Sequence, residues 1–511
     1  MKLNGVEKHI SEDAVRLTGY VQLGNGRGEL TPFFQFPREF EEFVVENADP
    51  FVAALLLPAM ASGEELVVEP SVSQRLWSSL PRIQEIFSSW YPDVLKPIRV
   101  CSDHFHEAGP AKDCTGAFFS LGVDSFHTLL RHEEEFPGRE KITHLIYMAG
   151  FELPLREFAG GQERPVIESV HEVARLWGKK AVCGWTNLRD CFPLDFPRQY
   201  HGAILAGTAL ALSGGMSRVL FPSSYSWRYL TTWGSHPLTD PLWSSDDLEI
   251  IHDGTGDDRT RKIVDTILPS QKAVRYLRVC TYKRGGAGNC GFCRKCLRTM
   301  ITLEIAGALK SSGAFPPTLP RDFWRRLKLV SHGDLSFTDE NLRLAREKNA
   351  PAWIIDGLER ALYLGRLELL RKERGDLGFT SDLLRLAYEK NHRQADSLSG
   401  APAKEADQTS AEKMMIRQKS RRCAIPANVV IHPFLDRSDP DLAEPLHGIT
   451  VSRLGMEVAL QHRNEHFKAG ISTWKPKERD SLIFSLKRIG FSAKYSTVFP
   501  GRNLRERGAR F

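Results

Sequence analysis

From about residue 111 to 312 the chain alternates short apolar runs with longer stretches in which apolar residues recur at helical spacing. The runs at Ala117–Phe119, Ile142–Ala149, Lys180–Thr186, Arg218–Pro222 and Val274–Val279 read as buried strands. Between them a helix starts at Ser125, whose hydroxyl suits an N-cap, and carries Phe126, Leu129 and Leu130; others span Pro165–Trp177 and Tyr200–Leu212, and one begins at Asp257. Strands joined by helical connections of this length predict a doubly wound parallel sheet of five strands with helices on both faces, an α/β fold. The helix over Tyr200–Leu212 is apolar nearly all round and rich in small residues, so it should be sandwiched rather than solvent-facing.

The flanks carry different patterns. Residues 1–110 read as a small α+β lobe of their own, with strands at Val15–Leu23 and Glu65–Val68, a glycine-rich turn at Gly24–Gly28, and a helix over Ser73–Trp90 that aligns Leu76, Leu80, Ile83 and Phe87. Residues 313–392 read as a helical lobe, 393–423 as a flexible linker too polar to bury much, and 424–511 as a C-terminal segment with strands and helices but no assigned chemistry. His104 and His106 alternate with Phe105 and are the metal-ligand candidates of the first lobe, although packed or surface histidines explain them as well.

Composition changes this picture little. The 511 residues are 41% hydrophobic and 26% charged, ordinary for a globular protein, and the net charge of +6 permits an anionic ligand without demanding one. The longest apolar run, Phe51–Ala61, is too short to span a bilayer and the N-terminus has no signal-peptide core, so a cytoplasmic protein without membrane contact is expected.

Two motifs carry chemistry. Cys114–Thr128 compresses a strand, a polar turn and a helix start into one stretch, with Ser120, Leu121, Gly122, Val123, Asp124 and Ser125 forming the turn. Such a turn presents free backbone N–H groups and the positive end of the helix dipole to an anion, which is phosphate-site chemistry. In an open sheet the ligand lies beyond the carboxyl ends of the strands where strand order reverses, which places this turn on the rim with Thr186–Arg189 and Ser223–Trp227. The second motif is Cys280, Cys290, Cys293 and Cys296, spaced Cys-x9-Cys-x2-Cys-x2-Cys with Gly291 inside the knuckle. Four thiolates at this spacing suit a tetrahedral zinc ion, and a cage filled by protein leaves no open position, so its role should be structural. The remaining cysteines, Cys101, Cys114, Cys183, Cys191 and Cys423, show no ligand spacing.

The turn resembles the Ser-Gly-Gly-x-Asp-Ser pyrophosphate loop of the N-type ATP pyrophosphatases. Together with Arg278-Val-Cys-Thr-Tyr and Asn289-Cys-Gly-Phe-Cys-Arg-Lys-Cys it resembles the 7-cyano-7-deazaguanine synthase family over roughly residues 111–310, in particular its larger bacterial relatives, some of which accompany antiviral defence systems. The resemblance implies a HUP-like sheet of the adenine nucleotide α-hydrolase type, with ATP, Mg2+ and Zn2+ as cofactors. Ser120, Gly122, Asp124 and Ser125 would match the pyrophosphate loop, with Asp124 on magnesium, and the four cysteines the zinc site. A 7-deazapurine carboxylate is the implied acid; Trp233, His236, Trp243 and Asp253, in and after an aromatic loop, are the candidates for holding it. The departure is Leu121, where the family has its first glycine: a leucine is not expected to take glycine-only angles and should crowd the pocket.

Three functions follow. The first is an ATP-dependent ligase: a carboxylate attacks the α-phosphate, pyrophosphate leaves, and ammonia or an amine captures the acyl-adenylate, with Ser120, Asp124 and Ser125 as the catalytic set. The second is a tRNA-modifying enzyme held to RNA by the basic residues after 413, a weaker reading because no paired sulfur-transfer cysteines stand out. The third is a non-catalytic nucleotide-sensing or partner-binding subunit in which Leu121 marks a degenerate loop. His127, one turn into the helix, is expected to be partly exposed and without a role.

Overall fold

The computed structural model describes residues 1–110, 112–135, 141–157, 163–280 and 288–370, and short strands between 430 and 497. The first elements are β1 (Lys2–Ile10), β2 (Ala14–Gln22), β3 (Glu29–Leu30), β4 (Phe33–Pro37), α1 (Asp49–Ser62), β5 (Leu66–Val68), β6 (Val72–Ser73), α2 (Gln74–Trp90), β7 (Val100–Ser102) and β8 (Phe105–His106). Then follow β9 (Cys114–Phe118), α3 (Val123–Glu135), β10 (His144–Ala149), α4 (Arg164–Leu176), β11 (Lys180–Thr186), the short α5 (Leu188–Cys191), α6 (His201–Ala211), β12 (Met216–Pro222) and β13 (Glu249–Asp253). The helices α7 (Arg259–Arg261, continued as a π-helix over Lys262–Ile267), α8 (Gln271–Tyr276), α9 (Arg294–Ile305), α10 (Phe323–Arg326) and α11 (His332–Glu347), and one over 352–370, complete a helical C-terminal region.

The protein is α/β, with one large mixed sheet in the order β13-β12-β9-β10-β11-β4-β2-β1-β5-β7 and β3 paired to β2. Its five strands β13, β12, β9, β10 and β11 are mutually parallel. Side chains of successive residues alternate between two apolar cores: Phe118, Ile146, Met148, Val182, Val219 and Phe221 face the one built with α1, α2 and α6. Ala117, Leu145, Tyr147, Ala181, Cys183 and Leu220 face the other, built with α3, α4 and α9. This period of two on a sheet buried on both faces is why the strands read as continuous apolar runs rather than as an alternation of apolar and polar residues.

Counted along the chain, the parallel strands run 3-2-1-4-5 from β11 to β13, so the order reverses between β9 and β12. The fifth strand is not the one expected. Val274–Val279 begins inside α8, which Ser270 caps by accepting from the Ala273 N–H at 3.3 Å, and Glu249–Asp253 takes the edge of the sheet instead, pairing residue for residue with Arg218–Pro222.

Residues 1–110 share this sheet and its core rather than forming a lobe apart. β4 continues the parallel strands by antiparallel pairing of Gln35 with Trp185 and Phe34 with Thr186. Helix α1 is buried at every residue from Asp49 to Met60 and packs on α6, the helix predicted to be sandwiched. The contact is close because of Gly207, where a Cβ would lie 2.7 Å from the Pro50 carbonyl and 2.9 Å from the Phe34 ring. Tyr200 closes the same seam by donating to the Ala54 carbonyl at 2.8 Å. Residues 1–362 accordingly form one compact unit.

A second unit, Tyr363–Phe511, contains β14 (Val430–Ile431), β15 (Gly448–Arg453), β16 (Met456–His462), β17 (Glu465–Gly470) and β18 (Ser492–Thr497) in a sheet ordered β14-β17-β15-β16-β18. The expected linker at 393–423 and the helical pattern after 370 lie outside the described residues. No helix among the described residues is long and apolar enough to cross a membrane.

Because β4 covers the edge of β11 and α1 covers α6, residues 111–370 expressed alone should lose the cooperative unfolding transition of the full chain and be digested rapidly by a dilute protease. A truncated protein with a native-like melt would show instead that the first 110 residues are a separable lobe.

Candidate functional site

The turn after β9 lies at the reversal of strand order. Ser125 staples it: its hydroxyl accepts from the Ser120 N–H at 3.3 Å and donates to the Gly122 carbonyl at 3.1 Å. The hydroxyl is thereby committed to holding the turn, whereas Ser120 is exposed. The N–H groups of Leu121, Gly122, Val123 and Asp124 donate to no group among the described residues, as expected at the start of the 13-residue α3. They are available to an anion.

Leu121 adopts φ +64°, in the left-handed region. The expectation that leucine avoids glycine-only angles is thus overturned, and so is the expectation that it crowds the pocket: its side chain is buried in the apolar core with Val123 and Phe126. Leu121 thus holds a left-handed backbone angle of the kind glycine favours, with its side chain directed into the core.

Cations ring this turn. Arg259 donates to Asp124 Oδ2 at 2.7 Å, and the Lys262 ammonium, 1% exposed, lies 3.6 Å from Asp124 Oδ1 while donating to the Ser223 carbonyl at 2.6 Å. Lys262 therefore ties the turn after β9 to the turn after β12, across the reversal point. Burial pulls the Asp124 carboxyl up, but Arg259, Lys262 and Arg298 outweigh it and hold the group below the ordinary range. Arg278 pairs with Glu152 at 3.1 Å after β10, and its backbone N–H donates to the Leu121 carbonyl at 2.8 Å. Arg298 lays its guanidinium over the Phe337 ring at 4.1 Å, and Phe337 stacks on Tyr225, which meets Trp233 edge-on at 5.4 Å. Behind them Glu340, 1% exposed, accepts from the Arg259 N–H at 2.9 Å; burial and the nearby Asp258 push its carboxyl up to about 8, so it is protonated at neutral pH.

The four cysteines come together. Their sulfurs all lie within 4.8 Å of one another, with Cys290 and Cys296 at 3.8 Å and Cys280 and Cys293 at 3.9 Å. A tetrahedral zinc with bonds of ~2.3 Å sets its sulfurs about 3.8 Å apart, so this cluster can hold a metal such as zinc. Backbone N–H groups of Cys293 and Cys296 point at the Cys290 and Cys293 sulfurs. Hydrogen bonding from Cys296 lowers the Cys293 thiol to about 5, so one sulfur of the cluster is stabilised as thiolate by its neighbours. Gly291 is required in the knuckle: its φ is +76°, and a Cβ would lie 2.4 Å from Pro316. Asn289 ties the knuckle to its base by accepting from the Val279 N–H at 2.9 Å and donating to the Leu277 and Ala314 carbonyls. Since Arg278 bonds the Leu121 carbonyl, the cage and the turn share one short segment.

The four substrate candidates do not converge. Trp243 is fully buried in the core. His236 is buried edge-on to Trp90, and its Nδ1 accepts from the Leu238 N–H. Asp253 receives Thr128 at 2.7 Å, Arg131 and His132, and so fastens α3 to the end of β13. Trp233, half-buried beside Tyr225, is the one on the aromatic side of the cation group. His127 is buried rather than partly exposed, with Nε2 3.2 Å from Asp257. His106 is spent on Asp49 at 3.3 Å and His104 is exposed, so that pair is no metal site. The cations were missed because they come from three separate segments, two of them helical; the available signal was the repeated three-residue spacing of Arg259 with Lys262 and of Lys295 with Arg298. Comparisons with family models, with curated proteins and with solved structures give no match.

Two outcomes follow. Cys293→Ser should lose stoichiometric zinc by elemental analysis and destabilise residues 1–362 by on the order of a few kcal/mol in urea. Because the folded Glu340 binds a proton that the unfolded chain releases above about 4.5, this group's contribution to stability is present at low pH and lost as pH rises through about 8. Glu340→Gln should therefore melt progressively higher than the wild type as pH is raised from 5 to 8.5, by a margin equivalent to about 1–3 kcal/mol at the upper end.

Proposed function

We propose that the protein is an ATP-dependent ligase that adenylates a carboxylate. The observation that carries this reading is the run of free N–H groups from Leu121 to Asp124 at the reversal of strand order, faced by Arg259 and Lys262. The pyrophosphate end of ATP is the ligand such a turn suits, as in the 7-cyano-7-deazaguanine synthase family that its sequence resembles. A substrate carboxylate oxygen bonds to the α-phosphorus, the bond to the bridging oxygen breaks, and pyrophosphate leaves with the charge that the turn's N–H groups stabilise. Ammonia or an amine then displaces AMP from the acyl-adenylate. A 7-carboxy-7-deazaguanine-like acid is the substrate we favour, with Trp233, held edge-on by the buried Tyr225, and the adjoining turn after β12 as the surface for its flat ring. Ser120, exposed beside the free amides, is the hydroxyl left to contact phosphate, since Ser125 holds the turn.

The zinc cage supports this reading as a scaffold: the Arg278 N–H that bonds Leu121 lies two residues before Cys280. With labelled pyrophosphate and 7-carboxy-7-deazaguanine, the purified protein should move label into ATP and release AMP when an amine is added. Absence of exchange and of AMP with this acid and a broad carboxylate panel would leave the nucleotide-sensing reading in its place.

A further inference from the structure

Asp124 is the carboxylate on which a divalent cation is expected, and its surroundings do not suit one. One oxygen accepts from Arg259 at 2.7 Å and the other lies 3.6 Å from the buried Lys262 ammonium. A divalent ion there would displace a guanidinium and sit against a second positive charge. Among the described residues the cluster of three or more ligating side chains is the four-cysteine cage, so no further carboxylates gather at Asp124 to complete a site.

The same region holds cations whose head groups make no ion pair among the described residues. Lys295 and Arg298 lie one turn apart on α9, on the same side of the helix. The Lys295 ammonium makes no ion pair or hydrogen bond among the described residues, and it lies in the field of Glu152 and of Arg298, Arg259 and Arg278. Arg298 has the Phe337 ring as its contact and a buried Nε that donates to nothing. The acids nearby are engaged: Glu152 by Arg278, and Asp334 by Arg294 at 2.9 Å. Like charges gathered partly out of water are unfavourable unless anions join them, and the anions whose field reaches these two, Glu152, Asp124 and Asp334, are each already bonded to another cation.

We propose that Lys295 and Arg298, with Arg259 and Lys262, supply the counter-charge for a nucleoside triphosphate's phosphate chain, so that ATP binds without a divalent cation. The proposal rests on the nucleotide reading above. It makes Lys295 and Arg298 binding residues, and it makes Asp124 the internal anion that keeps Arg259 and Lys262 in place until the phosphates arrive.

The test is calorimetric titration of the full-length, zinc-loaded protein with ATP, in buffer stripped of free divalent ions by a chelating resin and again with magnesium; zinc content is measured before and after. The two dissociation constants should agree within about threefold, and Lys295→Gln and Arg298→Gln should each weaken the magnesium-free binding by about tenfold or more. Asp124→Asn should show the same agreement between the two buffers as the wild type, since no divalent cation rests on its carboxylate. Binding that appears only with magnesium overturns this inference and leaves the nucleotide reading intact. No ATP binding in either buffer overturns both. The wild-type comparison needs no variant, so a substitution that fails to fold does not spoil it.

Discussion

The Lys262 ammonium is 1% exposed, and its two anchors decide how the turns after β9 and β12 are placed: the Ser223 carbonyl after β12 and the Asp124 carboxylate after β9. Removing such a charge from water costs several kcal/mol even after the protein relaxes. It stays buried only because both anchors are present, and those anchors sit on the two strands between which the sheet changes direction. Holding Lys262 therefore also fixes the separation of the two turns. Arg259 extends the arrangement by taking the other Asp124 oxygen, and Glu340 fixes Arg259 by accepting its backbone N–H. Burial and the nearby Asp258 push Glu340 up to about 8, so it is mostly neutral at pH 7 and adds no full negative charge beside Arg259.

Most of the parallel sheet was legible in the apolar runs because strands buried on both faces need apolar residues at every position, and Leu145 to Ala149 or Val219 to Phe221 can be little else. The fifth strand was misread for a related reason. Val274-Arg-Tyr-Leu-Arg-Val has strand-like composition, but Ser270 starts a helix just before it, and a hydrogen bond to a single backbone N–H outweighs a weak β preference. Ile250 and Ile251, between Glu249 and His252-Asp253, sit at the sheet edge, where fewer apolar neighbours are needed, so the apolar run of this strand is only two residues long.

The site was legible where it is local and illegible where it is not. The turn from Ser120 to Ser125 and the cysteine cage each lie within one short stretch, so spacing alone exposes them. The cations reach the turn from α7, the segment before Cys280, and α9, and no spacing rule links residues 139 apart such as Ser120 and Arg259. Trp243 and Asp253 failed as substrate residues because an aromatic or a carboxylate in a loop satisfies two descriptions equally: Trp243 fills the core, and Asp253 meets three donors from α3. The independence of residues 1–110 failed on a feature sequence patterns do not carry, the pairing of β4 with β11 over 150 residues of intervening chain.

Leu121 shows how the turn tolerates the residue that seemed to disqualify it. A non-glycine residue in the left-handed region costs roughly 1–2 kcal/mol. Full burial of a leucine side chain contributes roughly 1.5–3 kcal/mol, and Leu121 is 1% exposed among Val123, Phe126, Leu277 and Val279. The two terms nearly cancel, so glycine at this position is not required for the turn's shape. What glycine would permit, and leucine does not, is freedom to leave that shape. The leucine anchors the turn to the segment whose Arg278 N–H bonds its carbonyl and whose next cysteine enters the cage, so turn, segment and cage are directly connected. A turn held this way meets an anion with its N–H groups already aligned, which is the arrangement that stabilises charge developing on a leaving group without further reorganisation.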